Sequence, residues 1–376
     1  MRVAVVAEFY PRRHDPVLGV WAHRQALAAR DAGADVSVFV LHRLVPPRRD
    51  PGALRALLRQ PARARLDGLD VRYVRFVSPP RSRAYAHWGR YAAPALRRAL
   101  RGERFDVVHA HNAVPAGDAV LRAAPELPLV VSVHGGDVLW TSSRVPGGRE
   151  AVERVLGAAR LVLANSGGIE LLAREHGAGE LRVVHLGADL PPAGRQEAVE
   201  PLIASVGHLV ARKRHADVLA ALVALPGVRY LIIGDGPERE PLERLARELG
   251  LGDRVEFAGQ LDPAQVQSRL APAWCFVLPS TEEAFGVAYI EAMAAGIPAL
   301  GSAGEPGPAE IAAAGGGIEV VPPRSPEALA ARLRALLGDP RARRELGAAA
   351  RATVEREFTW RLCGERTLAA YEEAAR

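Results

Sequence analysis

Short apolar runs alternate with longer amphipathic stretches along the whole chain. Strand-length runs fall at Arg2–Ala7, Asp35–Leu41, Val71–Phe76, Val107–Ala110, Leu129–Val133, Leu161–Ala164 and Arg182–His185. Between them lie helical patterns such as Val20–Ala32, stopped at Gly33, and Ala92–Arg101, stopped at Gly102. Glycine at such places suits the C-terminal cap of a helix. Residues 191–201, PPAGRQEAVEP, are proline-rich, polar and without periodicity, and read as a linker. Then the rhythm restarts, with strands at Leu202–Val206, Arg229–Ile233, Val255–Ala258, Trp274–Leu278, Ala299–Gly301 and Ile318–Val321. Helices are predicted at His215–Ala224, Pro237–Leu249, Pro263–Leu270, Val287–Ala295, Pro308–Ala314 and Pro326–Leu337, and a tail helix from Pro340 breaks near Phe358–Trp360. Buried strands alternating with helices imply βαβ units and parallel sheets. The pattern predicts an α/β chain of two doubly wound domains, 1–190 and 202–357, followed by a terminal helix 358–376. Ligands of such sheets bind at the C-terminal ends of the strands, which predicts a cleft there.

Composition sharpens this. The chain has 376 residues, 49% of them hydrophobic, enough for two sizeable cores. The two cysteines, Cys275 and Cys363, exclude a disulfide scaffold and a Cys-rich zinc pattern and fit a reducing, cytoplasmic compartment. No apolar run is long enough to span a bilayer, and the opening MRVAVVAEFYP reads as a first strand, too short for a signal peptide. The formal charge of +6 is unevenly spread. Residues 42–104 hold 16 arginines against Asp50, Asp67, Asp70 and Glu103, so the rest of the chain is net acidic. Such a block suits nucleic acid, an anionic membrane surface or an anionic substrate, or is simply a set of solvated helix faces. The segment carries no nucleic-acid motif, so no nucleic-acid partner is expected. Lys213 is the only lysine among 49 Lys and Arg residues, which makes it conspicuous.

The segment Leu278–Pro298, LPSTEEAFGVAYIEAMAAGIP, concentrates the chemistry. A strand ends at Pro279-Ser280, a loop carries Glu283 and Phe285, and a helix begins at Gly286 and contains Glu291. The free N–H groups at Gly286, Val287 and Ala288 suit a phosphate, and the two carboxylates suit sugar hydroxyls. Pro279-Ser280, Glu283, Phe285-Gly286, Glu291-Ala292-Met293-Ala294, Gly296 and Pro298 resemble the donor-site signature of glycosyltransferase family 4, retaining enzymes of the GT-B fold. That fold is a pair of Rossmann-like doubly wound parallel-sheet domains facing across a cleft, and the resemblance implies that the terminal helix 358–376 packs back on the first domain. Residues 204–222, ASVGHLVARKRHADVLAAL, are similar to the family's donor diphosphate loop, with Lys213 at its lysine position. His208 stands where the family has arginine, and Arg212 is the candidate replacement cation. Gly304–Glu310 matches a Gly-rich loop ending in glutamate, here Glu310.

The first half resembles the family more loosely. Leu18-Gly19 stands where the family often has Gly-Gly near the donor phosphates. In DVVHAHN, residues 106–112, His109 and His111 share a strand face. His109 reads as a core residue, whereas His111 is a candidate acceptor contact. VSVHGGDV resembles the family's His-Gly-x-Asp segment, which places His134 beside the transferred sugar and lets Asp137 shape that region. The three histidines also admit a weaker zinc reading, without the usual ligand spacing.

The resemblance implies a nucleotide-diphosphate sugar as co-substrate, no metal or other cofactor, and a glycan or lipid-linked acceptor. The donor phosphate would take the acceptor's proton on the same sugar face, with Lys213, Arg212 and the Gly286 helix end stabilising the leaving diphosphate. Glu283 would hold the sugar, Glu291 the ribose, and His134 the positive charge at the anomeric carbon. The basic block adds an anionic inner membrane face as a partner. A soluble metabolite acceptor, an epimerase or phosphorylase, and a non-catalytic binder on the same scaffold stay open as alternatives.

Overall fold

The computed structural model describes residues 1–45 and 51–376. Residues 46–50, with Arg48, Arg49 and Asp50 of the arginine-rich block, lie outside the described residues. The chain divides into two compact units, Met1–Leu186 with Trp360–Arg376, and Gly187–Thr359.

The first unit holds an eight-stranded sheet: β1 (Arg2–Ala7), β2 (Asp35–Arg43), β3 (Arg63–Leu66), β4 (Leu69–Phe76), β5 (Val107–His111), β6 (Leu129–Val133), β7 (Leu161–Ala164) and β8 (Leu181–Val183). Their spatial order is β3-β4-β2-β1-β5-β6-β7-β8. All neighbours are parallel except β3, which pairs antiparallel with β4, Leu66 facing Leu69 across the Asp67-Gly68 turn. The second unit holds β9 (Leu202–Val206), β10 (Arg229–Ile233), β11 (Val255–Gly259), β12 (Cys275–Val277), β13 (Ala299–Ser302) and β14 (Ile318–Val321), ordered β11-β10-β9-β12-β13-β14 and wholly parallel. Central strands read as unbroken apolar runs because helices cover both faces: Val3 to Val6 are fully buried, as are Phe276 and Val277.

The strand order reverses between β1 and β5 in the first unit and between β9 and β12 in the second. At such a switch point the connecting loops leave in opposite directions and open a crevice beyond the strand C-termini. These two crevices are where the fold places ligands.

Helix ends follow local chemistry. The helix Pro263–Leu270 starts at a capping box, in which the Asp262 side chain and Gln265 each satisfy the other's backbone N–H. The helix Trp88–Leu100 begins four residues before the expected start at Ala92, and tolerates Pro94 on its exposed side. Residues 191–201 are strapped to the second unit. Arg195 donates to the carbonyls of Ala271, Ala273 and Gly296, and Glu197 pairs with Arg343 at 2.9 Å.

The tail breaks between the helices Pro340–Glu357 and Trp360–Ala374, where Ala188 bridges to Thr359. The last helix packs in the first unit against the helix Val20–Asp31. There Gln25 donates to Thr367 at 3.1 Å and Arg24 lies over the Trp360 ring.

Candidate active site

The second unit's crevice is built from the loops after β9 and β12. After β9 the chain runs through Gly207 and His208 and makes one tight turn, Ala211–Lys213. Thr281 N–H donates to the Arg212 carbonyl at 2.8 Å, joining that turn to the loop after β12. This junction brings Lys213 against Glu283, 70 residues away in sequence, with Nζ 2.5 Å from Oε2. Their side chains are only 11% and 8% exposed. Burial alone would raise the Glu283 carboxyl; the Lys213 ammonium, Arg212 and the Ser280 hydroxyl outweigh it and hold the group below its usual range. Glu283 is therefore an anion at pH 7.

The loop is clamped from the other side by a residue that the motif reading missed. The Glu305 carboxylate, at the start of the helix Pro306–Gly315, accepts the Glu283 backbone N–H at 2.8 Å. Burial first, and then the charges of Glu283 and Glu282, raise the Glu305 carboxyl. Glu310 was the glutamate picked out of this segment; the carboxylate that holds the Glu283 backbone is that of Glu305.

Gly286 caps the helix Val287–Ala294 with φ +91°, and a Cβ there would come within 2.3 Å of the Tyr289 ring. Only glycine leaves this helix N-terminus open to a ligand. Phe285, by contrast, is buried and packs on Phe358 at 5.6 Å between centroids, so its ring anchors the loop. Val287 is half-buried at the helix start, and Glu291 lies one turn in, on the exposed side. Arg212 is exposed and its Nη1 points to the Glu282 carbonyl at 3.4 Å. His208 is exposed as well, and its Nδ1–H donates to the Asp235 carbonyl at 2.6 Å. That bond fixes the neutral tautomer with a lone pair on Nε2, so His208 offers an anion a donor only as imidazolium.

The first unit's crevice carries the histidines. His111, at the end of β5, stacks on His134, just after β6, with centroids 5.3 Å apart, rings 7° from parallel and Nδ1 to Nε2 3.0 Å. Burial lowers His134 to about 4 and His111 further below the usual imidazole value, so both are neutral at pH 7. His111 Nε2 and His134 Nδ1 are buried without a protein partner, as is Asp137 Oδ2. Burial raises Asp137 to about 7, against the opposing pull of the Ala113 and Val114 N–H groups.

His109 is a satisfied core residue: its two ring nitrogens lie 2.7 Å from the Tyr371 and Ser132 hydroxyls. With both nitrogens so engaged it cannot join a three-histidine metal site, and no metal-holding cluster occurs among the described residues. Gly19 caps the helix Val20–Asp31 in a left-handed conformation, and its bare Cα passes the Phe9 backbone, where a Cβ would come within 2.2 Å. Two further polar residues escaped the sequence reading. Glu8, just past β1, accepts the Tyr85 hydroxyl at 2.7 Å, and its carboxyl is raised by burial against the pull of Arg81, Arg12 and Arg43.

Two parallel-sheet units, each with polar loops at its switch point, define the GT-B class of glycosyltransferases. The family model "Glycosyltransferase Family 4" matches residues 18–191, and "Glycosyl transferases group 1" matches residues 192–353. The chain is 31% identical over 297 residues to the glycogen synthase of Mycobacterium tuberculosis, covering 73% of this chain and 70% of that one. A GDP-mannose-dependent monoacylated alpha-(1-6)-phosphatidylinositol monomannoside mannosyltransferase of Corynebacterium glutamicum is 29% identical over 306 residues, covering 73% and 78%. The sucrose-phosphate synthase of Thermosynechococcus elongatus shares the fold, with a TM-score of 0.79 at 21% identity over 99% of this chain and 98% of that one. The chain belongs to this glycosyltransferase family.

Proposed function

We propose that the protein transfers a hexose-type sugar from a nucleotide-diphosphate sugar to a hydroxyl of a glycan or lipid-linked acceptor, with retention at the anomeric carbon. The observation that carries this reading is the buried Lys213–Glu283 pair beside the open Gly286 helix end. One ammonium, one carboxylate and free helix N–H groups meet there, the complement of a diphosphate joined to a polyol.

In this reading Lys213, Arg212 and the N–H groups at Gly286 and Val287 stabilise the charge that develops on the leaving diphosphate. Glu283 accepts hydrogen bonds from the sugar and Glu291 from the ribose. In the first unit's crevice His134 and its partner His111 are both neutral and add no positive charge of their own, and Asp137 shapes that crevice. The leaving phosphate oxygen takes the acceptor hydroxyl's proton on the face that the diphosphate vacates. The mannosyltransferase relative, named for a GDP-linked donor and a phosphatidylinositol acceptor, supports a nucleotide-sugar donor and a lipid-linked acceptor.

The acceptor is reached at an anionic membrane face. The helix Pro51–Arg59 leaves Leu54 38% and Leu58 54% exposed, one turn apart, with Arg55 and Arg59 exposed beside them. Exposed leucines flanked by arginines suit an anionic bilayer surface. No helix among the described residues is long and apolar enough to cross a membrane.

The test is a thermal-shift screen of nucleoside diphosphates and their sugars, followed by NMR of the product's anomeric proton. A rise in Tm with one nucleotide series and a retained anomer are expected. No nucleotide raising Tm would overturn the donor assignment, and an inverted product the retaining route.

A further inference from the structure

A second built arrangement lies at the C-terminal end of the first unit's sheet. Arg81 follows β4 and opens the helical turn Arg81–Ala84. Its guanidinium carbon lies 4.0 Å from the centre of the Tyr85 ring, 5.6 Å from Phe9 and 5.9 Å from Trp140. Phe9 follows β1, and Trp140 stands three residues beyond Asp137 in the turn after β6. Loops from three strand ends thus converge on one exposed guanidinium, at the end of the sheet where this fold binds ligands.

Ring faces hold a guanidinium without using its N–H donors. Among the described residues no carboxylate lies within ion-pair distance of Arg81 and no hydrogen bond engages it. The acid that feels its charge, Glu8, is buried and already accepts the Tyr85 hydroxyl. Burial raises the Glu8 carboxyl despite the opposing charges of Arg81, Arg12 and Arg43, so three guanidinia share one buried acid. Trp140 is 40% exposed and presents an indole next to this cationic fork. An indole face suits the C–H face of a sugar ring, and a free planar fork suits a tetrahedral oxyanion.

We propose that Arg81, with Phe9, Tyr85 and Trp140, is an acceptor subsite for a glycosyl unit that carries a phosphate or diphosphate. The inference rests on the transferase reading and adds the charge class of its acceptor. Its oxyanion belongs either to a free sugar phosphate or to the headgroup of a lipid carrier.

The test uses the full chain saturated with UDP, or with whichever nucleoside diphosphate raises its Tm in the screen, which blocks the donor half-site. Glucose 1-phosphate is titrated against tryptophan fluorescence, with glucose as the uncharged comparison and Trp140→Phe to identify the reporting indole. In a second arm, phosphatidylcholine vesicles with and without a polyprenyl phosphate are floated with the protein. Arg81→Ala should weaken binding of glucose 1-phosphate, or retention on the polyprenyl phosphate vesicles, at least about tenfold, with Arg81→Lys intermediate. An effect in the first arm assigns the subsite to a free sugar phosphate, and in the second to a lipid headgroup. Equal binding of glucose and glucose 1-phosphate, with no Arg81 dependence on the vesicles, would overturn the proposal. The nucleotide-induced rise in Tm is read in every variant: kept in Arg81→Ala, it shows a folded chain, and its absence in the wild type with every nucleoside diphosphate instead breaks the transferase reading.

Discussion

Replacing Lys213 by methionine keeps the side chain's length and removes its charge. It leaves the Glu283 carboxylate 8% exposed with its closest cation gone. Breaking a buried pair by deleting one partner costs about 3–5 kcal/mol. In a unit of this size each kcal/mol moves Tm by roughly 2–4 °C, so Lys213→Met should melt roughly 10 °C lower at pH 8. The pH dependence identifies the cause. In the wild type the Glu283 carboxyl is held below its ordinary 4.5, so the pair's stabilisation is present above that value and lost as pH falls through the lowered one. In Lys213→Met the burial that raises this carboxyl is opposed only by Arg212 and Ser280, so Glu283 takes up a proton more readily. The deficit should therefore shrink from pH 8 to pH 5. Adding Glu283→Gln to Lys213→Met should recover most of it, because no charge is then buried. Calorimetry of the three proteins at the two pH values checks this. A deficit of equal size at both, with no recovery in the double variant, would refute the reasoning.

Glu305→Ala removes the acceptor of the Glu283 N–H and should lower kcat about tenfold through a misplaced loop. Glu305→Gln keeps an acceptor oxygen and should restore most of the rate; equal losses in the two variants would count against a positioning role. Asp137, raised to about 7 in the fold from its ordinary 3.8, contributes stability that is full below pH 3.8 and lost as pH rises through about 7. A shift of that size corresponds to about 4 kcal/mol, so Asp137→Asn should flatten the fall in urea midpoint between pH 5 and pH 8. An unchanged slope would show that Asp137 is not the titrating group. Gly286→Ala should destabilise by about 1–3 kcal/mol from its backbone conformation alone and, because its Cβ meets the Tyr289 ring and shifts the helix start, abolish the nucleotide-induced rise in Tm.

The alternation of apolar runs and helical stretches was enough to place the central strands, because a strand buried on both faces leaves an unbroken run such as RVAVVA. The edge of the first sheet was harder to read. Arg63–Leu66 is half-exposed and polar, so it carries no such run, although Leu66-Asp67-Gly68-Leu69 holds the dipeptide of a two-residue hairpin. Glu283, Gly286 and Lys213 were legible from their motifs. The resemblance also put Lys213 and the Gly286 helix end on one diphosphate, but the direct Lys213–Glu283 ion pair was not legible, because β9 and β12 become neighbours only through the switch in strand order. Glu305 was hidden for the same reason: its partner is a backbone N–H on another loop, which leaves no pattern of its own. Glu8 reads as the polar end of a strand until Tyr85 closes over it.

The arginine excess also changes meaning once partners are visible. Arg254 donates to the carbonyls of Leu222, Leu225 and Val228, Arg343 to those of Leu336 and Leu337, and Arg43 to those of Val45, Ser78 and Pro79. Leu336 and Leu337 end a helix, and one planar fork with five donors reaches more such carbonyls than an ammonium can. Within the basic block Arg72 donates likewise to the Ala99 carbonyl, Arg75 to that of Gln60 and Arg97 to that of Ala123, so part of the block is structural and charge counted along the sequence overstates what it offers a partner.

At Lys213 the requirement is the opposite. Lys213 neutralises Glu283, and on the proposed function the same cation would also serve the donor diphosphate, which suits a compact charge on a rotatable stem. A guanidinium at this position would lock onto Glu283 through two parallel bonds. Lys213→Arg should accordingly melt within a few degrees of the wild type, unlike Lys213→Met, yet bind UDP at least about tenfold more weakly. Both are read from one thermal titration. If Lys213→Arg bound UDP as tightly as the wild type, the ammonium would not be the feature selected at this position, and the ion pair would have to be explained by burial alone.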